Sequence, residues 1–471
     1  MSRRFFRRIL KVIFSSSNHL FIAAAEIRPK GLHQPSWDPF KIINNGVKYQ
    51  KFGGNTGRSF KVIDFFFRYG ILCLFNRQSH FMKLIIRLVF GLFLLSLPSC
   101  STEPMPALEV ETPNIEIPLN MFVGTYTRDE GWVNGQGEGI YQLTINYNDS
   151  SLQLNGPAAE LINPTFLALS PDKKNLYSVS EIGDGDGGYL YAYAIDENMN
   201  LTFIDRYSSR GQSPVHISVD ASGKFVFAAN YNGGVGIVFT RNDDGSLQFA
   251  QQLNHSGSGP HPNQNASHLH MAKLSPDNNF LFFPDLGSDK IWSYRIDYES
   301  ATLTKTNQEF GSVAAGAGPR HMDFHPSGNF AFVVNELNST VTVFAYDFRS
   351  GALTKVQTIS TLPEGFTAWN SSADIHVHPN GLFLYASNRG HNSIVTFSVD
   401  PATGELAVLG QTPTEGETPR NFAVAPTGDF LFVANQNSNN ITVFTIGAGT
   451  GLPEFTGNQL EVPTPVCLVF Y

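Results

Sequence analysis

Residues 318–347 read GPRHMDFHPSGNFAFVVNELNSTVTVFAYD and divide into three short runs of β-branched and aromatic residues. The runs 320–325, 330–335 and 340–346 predict strands, because clusters rich in Pro, Gly and Asn bound them. Residues 326–329, Pro-Ser-Gly-Asn, form a predicted turn. Proline is favoured at the start of a turn, and glycine can adopt the backbone conformations that turns require. Residues 335–339 form the second connection. The stretch therefore predicts an antiparallel meander.

The same pattern recurs along the chain, with its weakest copy first. The residues that end the middle run of each copy are Ser180, Asn230, Asp285, Asn335, Asn388 and Asn435. A period of roughly fifty residues with a few strands in each unit is typical of β-propeller blades. The repeats therefore predict six complete blades.

A seventh blade is divided between the two ends of the repeat region. Residues 120–146 supply outer strands without an inner strand before them, and residues 464–471 supply a single strand with nothing after it. Joining the two segments completes a blade and removes two exposed sheet edges. We therefore predict an all-β fold over residues 120–471, a seven-bladed β-propeller whose first blade is closed by N- and C-terminal strands.

Charge separates the beginning of the chain from the rest. Residues 1–81 have a net charge of +11 and residues 82–471 a net charge of −19, within a total of −8. The basic segment could be a membrane-surface helix or a targeting segment. We favour an upstream start codon assigned in error, and we expect residues 1–81 to be a disordered or poorly packed extension. For the acidic remainder we expect no nucleic-acid partner.

Residues 82–100, MKLIIRLVFGLFLLSLPSC, have the charged start and short apolar core of a signal peptide. The final Leu-Pro-Ser-Cys resembles a bacterial lipoprotein box, which predicts lipidation of Cys100. The alternative is an ordinary cleaved signal with an incidental cysteine. Residues 101–119 are rich in Pro, Glu and Thr and predict a flexible tether. We expect a lipid anchor in the cell envelope as the only membrane contact, or a cytoplasmic protein if the signal interpretation is wrong.

The cysteine count restricts the chemistry. The three cysteines are Cys73, Cys100 and Cys467. A mature chain that begins at Cys100 keeps only Cys467 as a free thiol, so neither a disulfide framework nor a cysteine-based zinc site is possible. We expect Cys467 to be a small buried apolar residue in the closing strand.

Antiparallel pairing brings distant residues to one mouth of the ring, because the first strand of a blade begins where the second ends. The first-strand starts carry His270, Arg320 and Arg420, with His216, His321 and Asp374 one position further along. The second-strand ends carry Asn230, Asn335, Glu336, Asn388, Arg389, Asn435 and Gln436. We predict that this polar set converges on one face of the disc.

Each of these residue types also has a structural interpretation. Asparagine at a strand end is usually a turn former, and we favour that role for the four asparagines. One arginine could brace a neighbouring blade, but three from three blades favour an anion site. His270 stays open between a catalytic and a structural role. Three further histidines are expected to be structural: His325, His376 and His378.

The segments GAGPRHMDFHPSGNFAFVVNELNSTVTVF, SNRGHNSIVTF and PDLGSDKIWSY closely resemble the lactonase family of seven-bladed propellers. That family includes propeller-type 6-phosphogluconolactonases and the fungal carboxy-cis,cis-muconate cyclase, and the resemblance covers residues 120–471. It implies a catalytic set at the matching positions His270, Arg320, Glu336 and Arg389.

The resemblance implies an enzyme that hydrolyses a small anionic sugar lactone, as a monomer and without cofactor or metal. Glu336 or His270 would be the general base, and Arg320 would stabilise the oxyanion. The expected substrate-binding residues are His321, Asn388, Arg420 and Gln436. Since a phosphogluconolactonase of the pentose phosphate route belongs in the cytoplasm, export would imply an unphosphorylated or uronic lactone.

Three alternatives remain open. A muconate-type lactonising cyclase would use the same residues. A calcium-dependent propeller lactonase would use oxygen ligands from Asp285, Asn335 and Asn388. A non-enzymatic envelope propeller that binds a glycan or protein would have an aromatic mouth rather than an ionic one.

Overall fold

The computed structural model describes residues 119–185 and 187–471. Over this range the chain forms 28 strands in seven four-stranded sheets, which confirms the predicted seven-bladed β-propeller. The predicted extension 1–81, the signal segment 82–100 with Cys100, and the tether up to residue 118 lie outside the described residues. Within the described range no helix is long and apolar enough to cross a membrane.

The strands follow the sequence pattern closely in residues 318–347. The middle strand is Phe330–Asn335, as predicted, and the strand before it, Pro319–Phe324, is shifted by one residue. The third strand, Thr340–Asp347, extends one residue further than predicted. A fourth strand, Ala352–Ser360, completes the blade on its outer side.

The seven blades are numbered I to VII, and each has its innermost strand first. Blade I consists of β28 (Pro465–Phe470), β1 (Leu119–Thr125), β2 (Gly139–Ile145) and β3 (Leu152–Glu160). Blade II consists of β4 (Leu167–Leu169), β5 (Asn175–Ser180), β6 (Tyr189–Ile195) and β7 (Leu201–Ser208). Blade III consists of β8 (Gln212–Val219), β9 (Phe225–Asn232), β10 (Val235–Arg241) and β11 (Leu247–Asn254).

The remaining four blades repeat this order. Blade IV consists of β12 (Lys273–Leu274), β13 (Phe280–Asp285), β14 (Lys290–Asp297) and β15 (Thr302–Ser312). Blade V consists of β16 (Pro319–Phe324), β17 (Phe330–Asn335), β18 (Thr340–Asp347) and β19 (Ala352–Ser360). Blade VI consists of β20 (Ser371–Val377), β21 (Phe383–Arg389), β22 (Ser393–Val399) and β23 (Leu406–Pro413). Blade VII consists of β24 (Pro419–Val424), β25 (Phe430–Asn435), β26 (Asn440–Ile446) and β27 (Pro453–Glu461).

The ring is closed by strands from opposite ends of the repeat region. β28 pairs antiparallel with β1, with Phe122 opposite Val469 and Val123 opposite Leu468. β28 also contacts the innermost strands of both neighbouring blades, β24 and β4. The prediction that terminal strands complete the first blade is therefore confirmed.

Apolar side chains from adjacent blades share common cores. One such core joins Phe332 and Val343 of blade V to Ile375, Leu384 and Val395 of blade VI, all of them buried. Burial of each large apolar side chain contributes about 1.5–3 kcal/mol. The inner strands are thus fixed from both sides, and the residues at their starts are held rigidly at the axis.

Candidate active site

β-Bulges aim two of the predicted arginines into the axis. Pro319 pairs with Asn335 and His321 pairs with Val334, so that Arg320 is the extra residue between two paired positions. Blade VII repeats this irregularity at Arg420. A bulge re-aims the side chain of the inserted residue. Both arginines accordingly border one cavity near the axis.

Glu336 joins the arginines of two blades. Its Oε2 atom lies 2.9 Å from Nε of Arg320 and 3.0 Å from Nη2 of Arg389. Burial raises the pKa of Glu336, but the guanidiniums of Arg389 and Arg320 outweigh burial and hold that pKa below its usual value. Glu336 is therefore a carboxylate that fixes the separation of the two guanidiniums.

Arg320 is anchored on two sides. Its Nη1 donates to the carbonyl of Ala373 at 2.7 Å, which ties blade V to blade VI. Its Nε lies against the Glu336 oxygen without good hydrogen-bond alignment, and its Nη2 makes no hydrogen bond within the described residues. Burial, reinforced by Arg389 and Arg420, lowers the pKa of Arg320 to about 9, so the side chain remains a cation at neutral pH.

Arg389, at the end of β21, is held by the start of β20, the inner strand of the same blade. Its Nε donates to the carbonyl of Ser371 at 3.1 Å, and its Nη2 donates to the Ser371 hydroxyl at 2.7 Å. Burial is the main reason that the pKa of Arg389 lies below its ordinary value. The backbone of blade VI therefore fixes this cation against Glu336.

His270 presents an unused ring nitrogen. Its Nδ1 is buried and has no partner among the described residues. Its ring lies edge-on to His321, with centroids 5.2 Å apart, and edge-on to Tyr231 at 5.6 Å. Burial and the nearby Arg320 hold the pKa of His270 well below its ordinary value. The imidazole is therefore neutral and can donate or accept one hydrogen bond to a ligand.

His321 differs from His270 because a carboxylate supports its ring. His321 Nδ1 lies 2.8 Å from Oδ1 of Asp374. The other oxygen, Oδ2, lies 3.0 Å from Nε2 of His376 and accepts a hydrogen bond from the amide of Asn421. The three blades V, VI and VII are thereby connected through one buried carboxylate.

Arg420 belongs to a second polar group on the opposite wall. Its Nη2 donates to the hydroxyl of Tyr126 at 3.0 Å, and that hydroxyl donates to Glu181 Oε2 at 2.8 Å. Thr165 also donates to Glu181, at 2.6 Å. The Arg420 guanidinium lies over the rings of Tyr126 and Trp132, at 5.3 and 5.2 Å. This cation is therefore positioned by blades I and II.

The remaining two predicted substrate-binding residues differ from each other. Gln436 donates to Asn437 at 2.9 Å, and its buried carbonyl oxygen has no partner among the described residues. Asn388 donates to the carbonyl of Thr361 at 3.0 Å and accepts from the hydroxyls of Thr361 and Ser372, each at 2.8 Å. Both ends of the Asn388 amide are thus engaged within the protein, as in the capping role that its position also suggested.

Histidines away from the mouth connect neighbouring blades. His325 Nε2 lies 2.9 Å from the carbonyl of Gly381, and His378 Nε2 lies 2.6 Å from the carbonyl of Gly428. These are equivalent turns, one blade apart. The contacts fit the structural role expected for both residues.

Two of the three residues suggested for calcium, Asp285 and Asn388, already have their oxygens engaged by donors of the protein. Asp285 accepts hydrogen bonds from the hydroxyls of Ser267 and Ser288, the indole of Trp292 and two backbone amides. A carboxylate surrounded by donors has no free oxygen for a metal. No group of three or more His, Cys, Asp or Glu side chains in the described ranges is arranged to hold a metal ion.

One ring of positions contains residues that the sequence interpretation missed. The residue that follows the paired end of each second strand faces the mouth, and in chain order the set is Tyr126, Glu181, Tyr231, Leu286, Glu336, Arg389 and Gln436. Glu181 follows Ser180, the strand end that breaks the asparagine pattern. Glu181 follows Ser180 in the same way that Glu336 follows Asn335, and this equivalence is visible in the sequence.

A small cavity lies where these groups meet. It has a volume of about 10 Å³ and is bordered by His270, His321, Arg320, Arg420 and Glu181. That volume is close to the minimum that one water molecule needs. Three arginines and the carboxylates of Glu181, Glu336 and Asp374 lie around the mouth. The guanidinium N–H donors suit an anionic ligand.

Comparisons with known proteins agree with this architecture. Residues 120–470 match the family described as "Lactonase, 7-bladed beta-propeller". The chain is 38% identical over 351 residues to the 6-phosphogluconolactonase of Bacillus subtilis, covering 74% of this chain and 97% of that protein. It is 37% identical over 310 residues to the 6-phosphogluconolactonase of Formosa agariphila, covering 64% and 86%.

Solved structures agree as well. The periplasmic gluconolactonase of Pseudomonas aeruginosa superimposes with a TM-score of 0.70 at 36% identity, over 75% of this chain and 99% of that one. A putative 6-phosphogluconolactonase from Bacteroides fragilis gives a TM-score of 0.69 at 35% identity, over 75% and 98%. The chain belongs to the lactonase family of seven-bladed β-propellers.

Proposed function

We propose that this protein hydrolyses a sugar lactone to its open-chain acid. The observation that carries the proposal is the cluster of Arg320, Glu336 and Arg389, which fixes two guanidiniums around one carboxylate beside a water-sized cavity. Relatives at 36–38% identity named as 6-phosphogluconolactonases or a gluconolactonase support the same chemistry.

Arg320 is the proposed oxyanion stabiliser. Attack of water on the lactone carbonyl carbon moves negative charge onto the carbonyl oxygen. The Arg320 guanidinium borders the cavity and makes no hydrogen bond through Nη2 within the described residues, so it can receive that charge while it keeps its contacts with Glu336 and Ala373. His270, a neutral imidazole that borders the same cavity, can support the same oxygen from the adjacent wall.

Arg389 and Arg420 are the proposed anchors for a negative group on the substrate. They come from blades VI and VII, which follow the blade of Arg320 around the ring, and protein contacts fix each of them. Guanidinium groups bind carboxylate and phosphate through paired N–H donors. Gln436, with a free carbonyl oxygen, supplies an acceptor for a sugar hydroxyl.

The ionic mouth favours an enzyme over the non-enzymatic binding propeller, which would need an aromatic mouth. Glu336 is a weak candidate for the base, because two guanidiniums stabilise its charged form. The envelope location through Cys100 remains a prediction from the sequence. An exported enzyme would meet unphosphorylated or uronic lactones, so the phosphate requirement is the point to test.

The test is a hydrolysis panel of 6-phosphogluconolactone, gluconolactone and glucuronolactone with the full chain and with Arg320→Ala. We expect the wild-type protein to open at least one lactone and Arg320→Ala to lower kcat about 10²–10³-fold, as for loss of one oxyanion donor. Arg420→Ala should instead raise KM. A wild-type protein that opens none of the three lactones contradicts the proposal.

A further inference from the structure

A second histidine at the cavity has the hydrogen-bonding environment of a general base. His321 Nδ1 lies 2.8 Å from Asp374 Oδ1, and both side chains are almost completely buried. Burial raises the pKa of Asp374, but the contacts of its carboxyl with His376 and His321 outweigh burial and hold that pKa well below its usual value. Asp374 therefore stays a carboxylate, and Nδ1 of His321 carries the ring proton.

The opposite nitrogen of His321, Nε2, is then the acceptor of the ring, and the side chain borders the cavity. The described residues place one donor near it, Nη1 of Arg320, at 3.4 Å. That distance is beyond the usual range of N–H hydrogen bonds, and the same Nη1 makes its short bond to Ala373 at 2.7 Å. The Nε2 lone pair of His321 is thus available to a water molecule in the cavity that His321 borders.

We propose that His321 is the general base of lactone opening and that Asp374 is its positioning residue, an inference that rests on the proposed function. Nε2 of His321 takes one proton from water as the water oxygen bonds to the carbonyl carbon. The carbonyl electron pair moves onto oxygen beside Arg320. When the ring C–O bond breaks, the imidazolium returns its proton to the leaving alkoxide. The new carboxylic acid then releases one proton to solvent.

Neither of the two other candidates has this arrangement. An imidazole that acts as a general base is normally oriented by a further group, which hydrogen-bonds to the ring nitrogen that does not take the proton. His270 lacks such a partner among the described residues, since its Nδ1 is buried and unpaired. Glu336 is held by Arg320 and Arg389. His270 therefore suits hydrogen bonding to the substrate, and Glu336 suits the spacing of the arginines.

The pH dependence of kcat/KM follows from the surroundings of His321. Burial, then Arg320, lowers the pKa of His321 to about 4, against the opposing effect of Asp374. The titratable and charged groups that face the ring or its carboxylate are Arg320, Asp374, His216, His270 and His376. A base works in its neutral form, and kcat/KM reports the pKa of the free enzyme, so kcat/KM should rise with pH through about 4 and stay level above it.

The test compares His321→Gln and Asp374→Asn with the wild-type enzyme. Asparagine at 374 can donate its amide N–H to Nδ1, which would force the ring proton onto Nε2 and remove the acceptor. We expect both variants to lower kcat about 10²–10⁴-fold with KM little changed. His321→Gln should also abolish the acidic limb of the pH profile.

His325→Gln is the matched control. His325 is a buried histidine that follows β16 in the same blade; its Nε2 lies 2.9 Å from the carbonyl of Gly381, and it does not border the small cavity. This variant changes a buried histidine and its contact between blades but leaves His321, Asp374 and His376 intact. We expect its kcat to stay within the same order of magnitude as the wild-type value.

An independent readout is the ¹⁵N spectrum of the histidine rings, which reports the tautomer without activity. We expect the Nδ1–H form for His321 in the wild-type protein, and this measurement does not depend on the folding of any variant. A wild-type lactonase whose kcat survives His321→Gln, or falls equally in His325→Gln, overturns this inference alone. A wild-type protein that opens no lactone overturns the proposed function as well.

Discussion

At the scale of single residues, Glu336 decides the arrangement of the mouth. Its side chain is 18% exposed, and it neutralises guanidiniums that are only 3% and 10% exposed. Removing one partner of a buried ion pair leaves an uncompensated charge and typically costs about 3–5 kcal/mol. The position of Glu336 is therefore a matter of stability as well as of function.

We predict that Glu336→Gln lowers the free energy of unfolding by about 3–5 kcal/mol, because Arg320 and Arg389 then repel each other without a carboxylate between them. The measurement is a urea unfolding curve at neutral pH. The matched control is Glu309→Gln, which breaks an ion pair with Lys305 whose side chains are 51% and 46% exposed.

Loss of that surface pair should cost less than about 1 kcal/mol, since solvent screens both charges. Equal destabilisation by Glu336→Gln and Glu309→Gln would show that the buried carboxylate does not hold the arginines together. Activity should also fall in Glu336→Gln alone, as both guanidiniums shift.

At the scale of elements, the loops and bulges at the strand ends set the direction of each side chain. Gly390 follows Arg389 and has φ of 117°, a conformation that favours glycine. A Cβ atom at this position would lie 2.4 Å from the carbonyl oxygen of Trp369. The loop that carries Trp369 therefore packs directly on the backbone beside Arg389.

We predict that Gly390→Ala displaces Arg389 and raises KM for an anionic lactone, with a loss of stability of about 1–3 kcal/mol. The control is Gly365→Ala in the same β19–β20 loop as Trp369, where φ is 81° and a Cβ would meet nothing within 4 Å. Gly365→Ala therefore introduces the same kind of backbone strain as Gly390→Ala, but its Cβ does not clash with a neighbouring atom.

Steady-state kinetics and thermal unfolding of both variants give the answer. Gly365→Ala should lose about 1–2 kcal/mol of stability and keep its KM. A KM increase of the same size in both variants would mean that backbone strain, rather than contact with Trp369, controls Arg389.

The strand pattern could be predicted from the sequence because alternation and turn residues are local properties. Phe330–Asn335 was predicted to the residue for that reason. The mouth could be predicted only as a set of positions, since antiparallel pairing fixes the face but not the reach of a side chain. The contact of Glu336 with two arginines depends on where the bulge places Arg320, and no local signal gives that.

Other parts of the site stayed hidden for different reasons. Glu181 follows a serine rather than an asparagine, so the repeat pattern did not mark it. Tyr126 lies in the blade that is split between distant segments, and its hydrogen bond with Arg420 joins residues far apart in sequence. The partner of His321 was visible only as Asp374 at an equivalent position, and their pairing required the ring geometry.

At the scale of the whole molecule, the axis contains two cavities that share walls. Phe166 and Asn421 border both the small cavity at the mouth and the cavity of about 450 Å³ towards the ends of the inner strands. The small cavity therefore has a floor of side chains from several blades. Its geometry depends on every inner strand, and so on closure of the ring through β28.

Cys467 reports on that closure, since it lies in β28 and is 1% exposed. Burial raises the pKa of its thiol to about 12, and alkylation needs the exposed thiolate. Alkylation of Cys467 in the native protein must therefore wait for the strand to open. The question is whether blade I opens by itself or only together with the ring.

We predict that closure of the ring by β28 makes the seven blades unfold as one cooperative unit. Truncating a buried side chain should then accelerate Cys467 alkylation equally, whether the side chain lies in blade I or in a distant blade. Phe122→Ala acts beside Cys467 in blade I, and Phe332→Ala acts in blade V; both phenylalanines are fully buried. Each should cost about 3–5 kcal/mol. Peptide-resolved mass spectrometry of iodoacetamide labelling gives the rates, and urea curves give the stabilities. If blade I opens locally instead, Phe122→Ala alone accelerates labelling, because Phe332 makes no contribution to that opening.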